Sequence, residues 1–358
     1  MVENTKKGVI NSMKTIRVNT STSYDVIVGS GLLSSLATLL KNAGIDGKVA
    51  IVTDKTVNPL YADKVIDVLS SCYSCCKFVV EDGENSKSGQ VFLSLLEFLA
   101  ENEFTRTDTI IALGGGVVGD LTGFVASSYL RGIKFVQIPT SLLAMVDASV
   151  GGKTAINLTA GKNLAGAFYQ PSLVVADTDC LSTLSESEYK SGMGEVIKYA
   201  MIFDADLLTL LQNNWEDNKE EIIARCIDLK RKVVESDEKD NGDRQLLNFG
   251  HTLAHAIEKQ TNFEIPHGQA VAIGMSIITD LSIKKGVCPK EVKDILDKLL
   301  EKYNLPSSID IKKEELYTTT TIDKKRKGND ITIVLPTAKG KSVLTKMTIN
   351  EWRSFLTK

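Results

Sequence analysis

Short apolar runs alternate with longer amphipathic stretches over the first half of the chain. Each run has the length and β-branched content of a buried strand, and each following stretch repeats apolar residues at helical spacing. This repeated strand-then-helix order predicts a parallel sheet with helices on both faces. The five predicted strands are YDVIVG from Tyr24, KVAIVTD from Lys48, CKFVVEDG from Cys76, TIIALGGG from Thr109 and KFVQIPT from Lys134.

The pattern becomes long and helical after residue 180, as in AVAIGMSIITDLSIKKG and EVKDILDKLLEKYN. A chain of 358 residues is also long for one hydrophobic core, which favours two domains. We predict an α/β protein with an N-terminal Rossmann-like, nucleotide-binding domain over residues 1–180, of which 1–13 form a loose leader. Residues 181–358 are predicted to form a C-terminal, mainly α-helical domain.

Composition narrows the class of protein. Hydrophobic residues make up 43% of the chain and the net charge is −3, which gives no reason to expect nucleic acid or an anionic membrane as partner. No apolar run reaches the length of a membrane span, and the first residues contain no signal-peptide apolar core. The pair Cys72 and Cys75 lacks the second pair that a zinc site needs, so we expect reduced, structural cysteines and a cytoplasmic location.

All three histidines lie within seventeen positions. His251 and His255 are four residues apart in a predicted helix and therefore share a face, while His267 follows Pro266 at the predicted start of another helix. Imidazole is a common metal ligand and titrates near neutral pH, so the cluster favours metal binding or proton transfer. Spacing alone leaves open that these are polar residues on a half-buried helix.

Two further candidates for the same chemistry are Glu195 and Lys198 in SGMGEVIKYA. They are three apart and so lie on one helical face, where an exposed ion pair is the ordinary interpretation. The alternative is that Glu195 is a third metal ligand beside a lysine that contacts substrate.

A glycine-rich loop follows the predicted strand TIIALG and opens a helix. Such a loop lets the backbone approach a pyrophosphate at the positive end of the helix dipole, although a merely tight turn is the alternative. The loop contains Gly114, Gly115, Gly116 and Gly119. No acidic residue ends the next strand, so the ribose partner would be Asp54, unless Asp54 is only a turn or cap residue.

Other polar residues in loops are weaker candidates. Glu84 and Lys87 follow the third strand and could contact a nucleotide or form a solvated pair. The segment MVDASVGGKTAINLTAGKNLAGAF surrounds lysines with glycines, which suits a bound phosphate as well as a plain hairpin. Its candidate residues are Asp147, Lys153, Lys162 and Asn163.

Taken together, six segments in a fixed order resemble the 3-dehydroquinate synthase family, which belongs to the sugar-phosphate cyclases, and the similarity runs from about residue 24 to beyond residue 335. They are GGGVVGDLTGFVASSYLRG, QIPTSLLAMVDASVGGKTAIN, GKNLAGAFYQP, SGMGEVIKYA, LLNFGHTLAHAIE and HGQAVAIGM. The resemblance implies that the helical domain binds a divalent metal, zinc or cobalt, through Glu195, His251 and His267. His255 then moves from the candidate ligands to the substrate contacts.

The same resemblance implies a bound NAD. Its contacts would come from the ends of the first-domain strands and the loops after them. These are Asp54, Glu84, Lys87, Gly114, Gly115, Gly116, Asp120, Thr140, Lys153, Lys162 and Thr183.

Substrate contacts are implied in both domains. The residues with catalytic roles would be Asp147, Lys153, Lys198, Asn248 and His255. Lys230 and Arg244 would pair with a substrate carboxylate, and Asn163 would also bind substrate. Lys324 or Lys325, in a basic loop, would reach the phosphate, and Arg131 would do so from the neighbouring subunit of a homodimer.

The implied reaction is that of a lyase in the shikimate pathway, which leads to chorismate and the aromatic amino acids. The sugar phosphate 3-deoxy-D-arabino-heptulosonate 7-phosphate would become 3-dehydroquinate and phosphate, through transient oxidation by NAD, phosphate elimination, re-reduction and an aldol cyclisation. Departures from the family pattern at Ala254 and Gln269, and in TLSESE, fall outside the implied metal and carboxylate contacts. An NAD-dependent polyol dehydrogenase and a non-catalytic metal- or nucleotide-binding regulator are the alternatives.

Overall fold

The structure, a computed structural model, describes residues 13–322 and 330–357. The chain forms two compact units. The first contains the residues up to Leu184 together with Lys230–Glu235, and the second contains Ser185–Leu229 and the chain from Ser236 onward. The sequence placed this change at residue 180 and did not anticipate that a short helical segment belongs to the first unit.

Eleven strands and twelve α-helices make up the regular structure of the described ranges. The strands are β1 Lys14–Val18, β2 Tyr24–Gly29, β3 Val49–Asp54, β4 Cys75–Val80, β5 Thr109–Gly114, β6 Lys134–Pro139, β7 Lys153–Leu158, β8 Gly161–Phe168, β9 Leu173–Asp177, β10 Asp330–Ala338 and β11 Lys341–Thr348. The helices are α1 Leu36–Asn42, α2 Asp63–Leu69, α3 Gly89–Glu101, α4 Gly116–Ser128, α5 Glu186–Phe203, α6 Ala205–Gln212, α7 Trp215–Ser236, α8 His251–Gln260, α9 His267–Lys284, α10 Lys290–Lys302, α11 Lys313–Ile322 and α12 Ile349–Thr357.

A sheet in the order β1-β2-β9-β6-β5-β3-β4 organises the first unit. All its neighbouring pairs are parallel except β1 with β2. The five predicted strands are β2 to β6, which confirms the predicted parallel sheet. The chain runs outward from β3 to β4 and then returns to the other side of β3, so the strand order reverses between β3 and β5. In open α/β sheets, ligands bind at the carboxyl ends of the strands at such a point.

Helices cover both faces of this sheet, as predicted. Val49 and Ile51 of β3 lie in an apolar cluster with α1 and α2, whereas Ala50 and Val52 lie in a second cluster with α3 and α4. Because successive strand residues point to opposite faces, a strand buried on both sides must be apolar throughout. This burial explains why the strands appeared in the sequence as continuous apolar runs.

The glycine-rich segment after β6 ends in an antiparallel hairpin of β7 and β8. Helix α4 approaches β7 closely at Gly123, where a Cβ atom would lie 2.4 Å from the Thr154 side chain. Near its start, β8 contains Asn163 in a left-handed conformation, with φ of 57°, where the pairing with β7 shifts register. The hairpin interpretation is therefore right for this segment, and it does not exclude the phosphate-binding role.

The second unit is mainly helical, as predicted, from α5 through α12. The sequence did not predict its two-stranded antiparallel sheet of β10 and β11. Among the helices that the structure describes, none combines the length and apolar character needed to cross a membrane.

Candidate metal and nucleotide sites

A buried carboxylate and two imidazoles lie together in the second unit. Glu195 of α5 is only 1% exposed, and its Oε1 lies 3.5 Å from Nε2 of both His251 and His267. The ligand atoms of the three residues lie within 4.8 Å of one another. One carboxylate oxygen and two imidazole nitrogens at this spacing form a donor set that suits a catalytic divalent metal, since three protein ligands leave a coordination position open.

Close helix contacts position these side chains. A Cβ atom at Gly268 would lie 1.8 Å from the Ser191 carbonyl oxygen, and one at Gly194 would lie 2.2 Å from the Gly268 carbonyl oxygen. Glycine is therefore required where α5 meets α9, and this contact brings Glu195 next to His267. The Ser191 hydroxyl also accepts a hydrogen bond of 3.0 Å from the Gly268 backbone NH.

The start of α8 approaches α9 in the same way. Gly250, which precedes His251, has a φ of 78°, a conformation that residues other than glycine rarely adopt. A Cβ atom at Gly274 would lie 2.2 Å from the Gly250 carbonyl oxygen. The imidazole of His251 is therefore brought to the cluster by backbone contact between two helices.

Hydrogen bonds orient both imidazoles. His251 Nδ1 lies 3.1 Å from the Phe249 carbonyl oxygen, and His267 Nδ1 lies 3.3 Å from Oε1 of Glu258. With Nδ1 engaged in this way, Nε2 of each ring faces Glu195, and once deprotonated it is the nitrogen available to bind a metal. His255, Glu258 and His267 form a second group with metal-binding spacing, but the bond to Glu258 already engages His267 Nδ1.

The two imidazoles have opposite pKa shifts. Burial lowers the pKa of His251 to about 3, so that ring is neutral. Burial also opposes charge on His267, but hydrogen bonds to Glu195 and Glu258 raise its pKa to about 10. The cluster therefore favours one positive charge beside Glu195. A bound metal cation can supply this charge in place of the proton on His267.

Lys198 belongs to the same buried group. Its ammonium forms an ion pair with Glu195 Oε2, and both side chains are 1% exposed. The ordinary interpretation from the sequence, an exposed ion pair, is therefore wrong. A buried pair of opposite charges next to two imidazoles is an arrangement typical of functional sites.

A cavity of about 380 Å³ opens beside the histidines within the second unit. Its lining includes His251, His255, Asn248, Lys259 and Thr319. The structure thus places the predicted substrate residues His255 and Asn248 on one wall with a candidate metal ligand.

The loop before α8 holds Arg244. Asp237 accepts backbone hydrogen bonds from Asn241, Gly242 and Arg244, at 2.7 to 3.1 Å. These bonds lower the pKa of Asp237 below its ordinary value. Arg244 is 2% exposed and donates from Nη1 to the Glu238 carbonyl oxygen over 2.7 Å, so its guanidinium is held in place by the loop.

In the first unit, Lys230 meets Asp147. The Lys230 ammonium forms an ion pair with the Asp147 carboxylate and a 2.5 Å hydrogen bond to its carbonyl oxygen. Lys230 is 5% exposed, so a charge that the sequence assigned to the substrate carboxylate is paired inside the protein. No local pattern in the sequence indicates this pairing across 83 positions.

The candidate nucleotide residues lie at the carboxyl ends of neighbouring strands. Asp54 ends β3, and its Oδ1 accepts hydrogen bonds from Thr56 and Val57. Asp54 is therefore a turn residue, as one interpretation of the sequence predicted. Both turn bonds use Oδ1, so the turn does not exclude a contact of Asp54 with a ribose. The glycine loop after β5 begins α4, and the Thr140 backbone NH donates to the Gly114 carbonyl oxygen over 3.0 Å, which places Thr140 beside the loop.

A chain of polar contacts joins the remaining candidates. Lys87, 4% exposed, forms a 2.6 Å ion pair with Asp120 of α4. Burial raises the pKa of Asp120, and the Lys87 ammonium opposes that rise. Glu84 accepts a 2.7 Å hydrogen bond from the side chain of Asn157, a residue that the sequence did not single out.

The remaining predicted site residues lie elsewhere in the chain. Lys153, Lys162 and Asn163 are exposed on the β7–β8 hairpin. The Thr183 hydroxyl lies 2.6 Å from the Tyr61 hydroxyl. Arg131 has a φ of 69° and follows Leu130 at 48°, an unusual pair of left-handed residues. Lys324 and Lys325 lie outside the described residues.

Sequence reasoning missed several supporting residues. Glu258 could have been found from its spacing, because it lies three residues after His255 and seven after His251 and so shares their helical face. Asn157 and Asp237 bond to backbone groups of loops, and no local pattern marks such a role.

Two family models match the chain over most of its length. The model for the N-terminal part of 3-dehydroquinate synthase matches residues 77–191, and the model for the C-terminal part matches residues 192–326. A 3-dehydroquinate synthase of Clostridium botulinum is 45% identical over 91% of this chain and 96% of its own length. Another, of Streptococcus thermophilus, is 42% identical over 94% of this chain and 97% of its own length.

Solved structures share the fold. A 2-deoxy-scyllo-inosose synthase with carbaglucose-6-phosphate, NAD⁺ and Co²⁺ has a TM-score of 0.85 at 24% identity and covers 96% of this chain and 99% of its own. A 2-epi-5-epi-valiolone synthase of Streptomyces hygroscopicus with NAD⁺ and Zn²⁺ has a TM-score of 0.84 at 25% identity, over 95% and 98%. An iron-containing alcohol dehydrogenase is more distant, with a TM-score of 0.64 at 15% identity, over 94% and 97%.

Proposed function

Since the chain belongs to the 3-dehydroquinate synthase family, we propose that it converts 3-deoxy-D-arabino-heptulosonate 7-phosphate to 3-dehydroquinate and phosphate, and so acts as a lyase. The observation that supports this most directly is the cluster of the buried Glu195 with the partly buried His251 and His267. The cluster adjoins a cavity that is also lined by Asn248 and His255.

The proposed metal ligands are the three residues of that cluster, and the proposed metal is zinc or cobalt. NAD is proposed to bind at the carboxyl ends of β3 and β5, where the sheet order reverses. The metal, when bound, would polarise neighbouring substrate hydroxyls, and NAD would accept one hydride and return it, so that neither is consumed. The proposed NAD contacts are Asp54, Glu84, Lys87, Gly114, Gly115, Gly116, Asp120, Thr140, Lys153, Lys162 and Thr183.

Side chains of the second unit are proposed to bind and deprotonate the substrate. The His255 imidazole is exposed to the cavity and can take up and release a proton there. The buried ammonium of Lys198 can stabilise negative charge that develops on a substrate oxygen. Arg244, held by its loop, can bind the substrate carboxylate through two parallel hydrogen bonds.

The proposed substrate contacts also include four residues of the first unit. Asp147 and Lys230 form one polar group, and Lys153 and Asn163 lie on the β7–β8 hairpin. We propose that these four residues contact substrate as well. Their ammonium and amide groups match an acidic sugar phosphate, which a simple polyol does not require.

A homodimer is proposed in which Arg131 acts on the phosphate of the neighbouring subunit. Residues 130–132 all have positive φ, and two of them are not glycine. Such strain costs of order 1–3 kcal/mol per residue and clusters at functional sites. Leu158, Leu164 and Phe168 of the hairpin are 40–60% exposed, which is apolar surface suited to a subunit contact.

Phosphate release tests the proposed function. The protein is incubated with the heptulosonate phosphate, NAD and zinc or cobalt, and both phosphate and NADH are followed. We expect phosphate and 3-dehydroquinate with no net NADH, and loss of both products in His251→Ala. Net NADH from a simple polyol, without phosphate release from the sugar phosphate, would instead assign a dehydrogenase.

A further inference from the structure

Asn157, at the penultimate position of β7, lies between two groups of proposed ligand contacts in the first unit. Its side-chain Nδ2 donates to Glu84 Oε1 over 2.7 Å, and its Oδ1 accepts from the Asn163 backbone NH over 2.9 Å. Its backbone NH donates to the Lys87 carbonyl oxygen over 2.8 Å. One residue thus bonds to the loop after β4 and to the first part of β8.

The chemistry of the partners fixes the orientation of the Asn157 amide. A carboxylate oxygen only accepts hydrogen bonds and a backbone NH only donates them, so Nδ2 must face Glu84 and Oδ1 must face Asn163. Aspartate could keep the second bond but not the first, and it would place two carboxylates against each other. Alanine would lose both bonds.

Both partners lie at irregular positions of the backbone. Glu84 lies in a 3₁₀ turn of three residues, and Asn163 has a positive φ where the pairing of β8 with β7 shifts register. Lys87 is further tied to α4 through its ion pair with Asp120. Asn157 therefore connects the loop of Glu84 and Lys87, proposed to contact NAD, with Lys162 and Asn163 at the start of β8.

We infer that Asn157 is a positioning residue that holds Glu84 and Asn163 in the geometry for NAD and substrate, without contacting either ligand itself. The inference rests on the proposed function, because the roles of Glu84 and Asn163 do. It predicts that one change to this side chain weakens cofactor affinity alone, whereas another weakens both cofactor and substrate affinity.

The test measures NAD affinity by calorimetry without substrate, and KM and kcat for the sugar phosphate with saturating NAD. Asn157→Asp is expected to weaken NAD binding roughly tenfold, since a bond to a charged group is replaced by repulsion, while changing the KM for substrate little. Asn157→Ala is expected to weaken NAD binding and to raise the KM for the sugar phosphate. Thr159→Ala, an exposed change in the same hairpin, should alter neither quantity.

The same substitution in a Glu84→Gln protein distinguishes a positioning role of Asn157 from a general structural role. If Asn157 acts through Glu84, Asn157→Asp should weaken NAD binding far less in a Glu84→Gln protein than in the wild type. Equal weakening in both backgrounds, or unchanged NAD affinity in Asn157→Asp, would overturn the inference. Failure of the wild type itself to bind NAD would overturn the proposed function, and the inference with it.

Discussion

Glu195 is a buried side chain that bears on both the stability of the fold and the proposed metal site. Its carboxylate lies beside two imidazoles and the Lys198 ammonium, with almost no contact with water. A carboxylate in such surroundings keeps its charge only because cations or donors surround it. The same oxygen atoms therefore stabilise the folded structure and are the proposed ligands of the metal.

Glu195→Gln keeps the size of the side chain and removes its charge. We expect metal content and activity each to fall at least about a hundredfold, and the metal-free protein to lose ~3–5 kcal/mol because Lys198 loses its carboxylate partner. Metal analysis and denaturant unfolding measure both effects. Glu186→Gln breaks the exposed pair with Lys190 on the same helix and should change neither. Full metal content in Glu195→Gln would exclude Glu195 as a ligand.

Asp108 makes the free energy of unfolding depend on pH. Burial by itself would raise its pKa, but hydrogen bonds from the Lys48 and Thr105 backbone NH groups lower it below its ordinary value. A lowered pKa means that the stabilisation is complete above the ordinary pKa of about 4 and disappears as the pH falls through the folded-state value. Asp108→Asn should cost about 1.5–3 kcal/mol at pH 7.

Urea unfolding of the two proteins over a range of pH checks this dependence. The difference between wild type and Asp108→Asn should shrink as the pH falls below about 4. Asp25→Asn, which affects an exposed pair with Arg17, serves as the control. A difference that stays constant with pH would mean that the charge of Asp108 is not its source.

Helix α9 brings the proposed metal-binding residues together. It contacts α5 at Gly268 and α8 at Gly274, each with too little room for a Cβ atom. Helices that approach this closely have little freedom to slide, because the contacts are between backbones. The positions of Glu195 and His251 relative to His267 follow from these two contacts.

Gly268→Ala tests that dependence. The added methyl group would lie 1.8 Å from the Ser191 carbonyl oxygen, so α5 and α9 must separate. We expect a loss of about 3 kcal/mol of stability, the upper part of the range for overpacking, together with weaker metal binding. Gly89→Ala, at a helical glycine with no atom within 4 Å of the new Cβ, is the matched control and should be neutral or slightly stabilising. Normal metal affinity in Gly268→Ala would show that the contact does not set the ligand geometry.

At the scale of the whole molecule, the proposed homodimer determines which subunit supplies each residue of an active site. Two residues proposed for one reaction, Arg131 and Glu195, would then come from different subunits for each active site. A dimer with this arrangement can be complemented, because a mixed dimer of two inactive variants contains one complete site.

Coexpression of Arg131→Ala with Glu195→Gln measures this directly. Random pairing makes half of the dimers mixed, each with one complete site, so roughly a quarter of the wild-type activity should return. Each variant alone provides the baseline, and light scattering should give twice the mass of a 39.0 kDa chain. No gain in activity on mixing would place Arg131 at the site of its own subunit.

Local patterns in the chain were enough to predict most of the sheet and the residue types of the sites. Five buried strands, the glycine loop after β5 and the histidine cluster follow from local periodicity and spacing, which depend on neighbouring residues only. Resemblance to a family then selected Glu195, His251 and His267 from the possible ligands. The edge strand β1, the strand β9 and the β10–β11 sheet were not predicted, although LVVAD of β9 and ITIVL of β10 are apolar runs of the same kind.

Which polar groups meet depends instead on how distant segments pack. The pairing of Lys230 with Asp147, the burial of Glu195 with Lys198 and the two bonds of Asn157 join residues through contacts that periodicity does not report. Whether a charge is exposed or buried depends on what packs over it from elsewhere in the chain. For that reason the sequence identified the candidate chemistry, while the packing of helices and loops determined its partners, its burial and its pKa values.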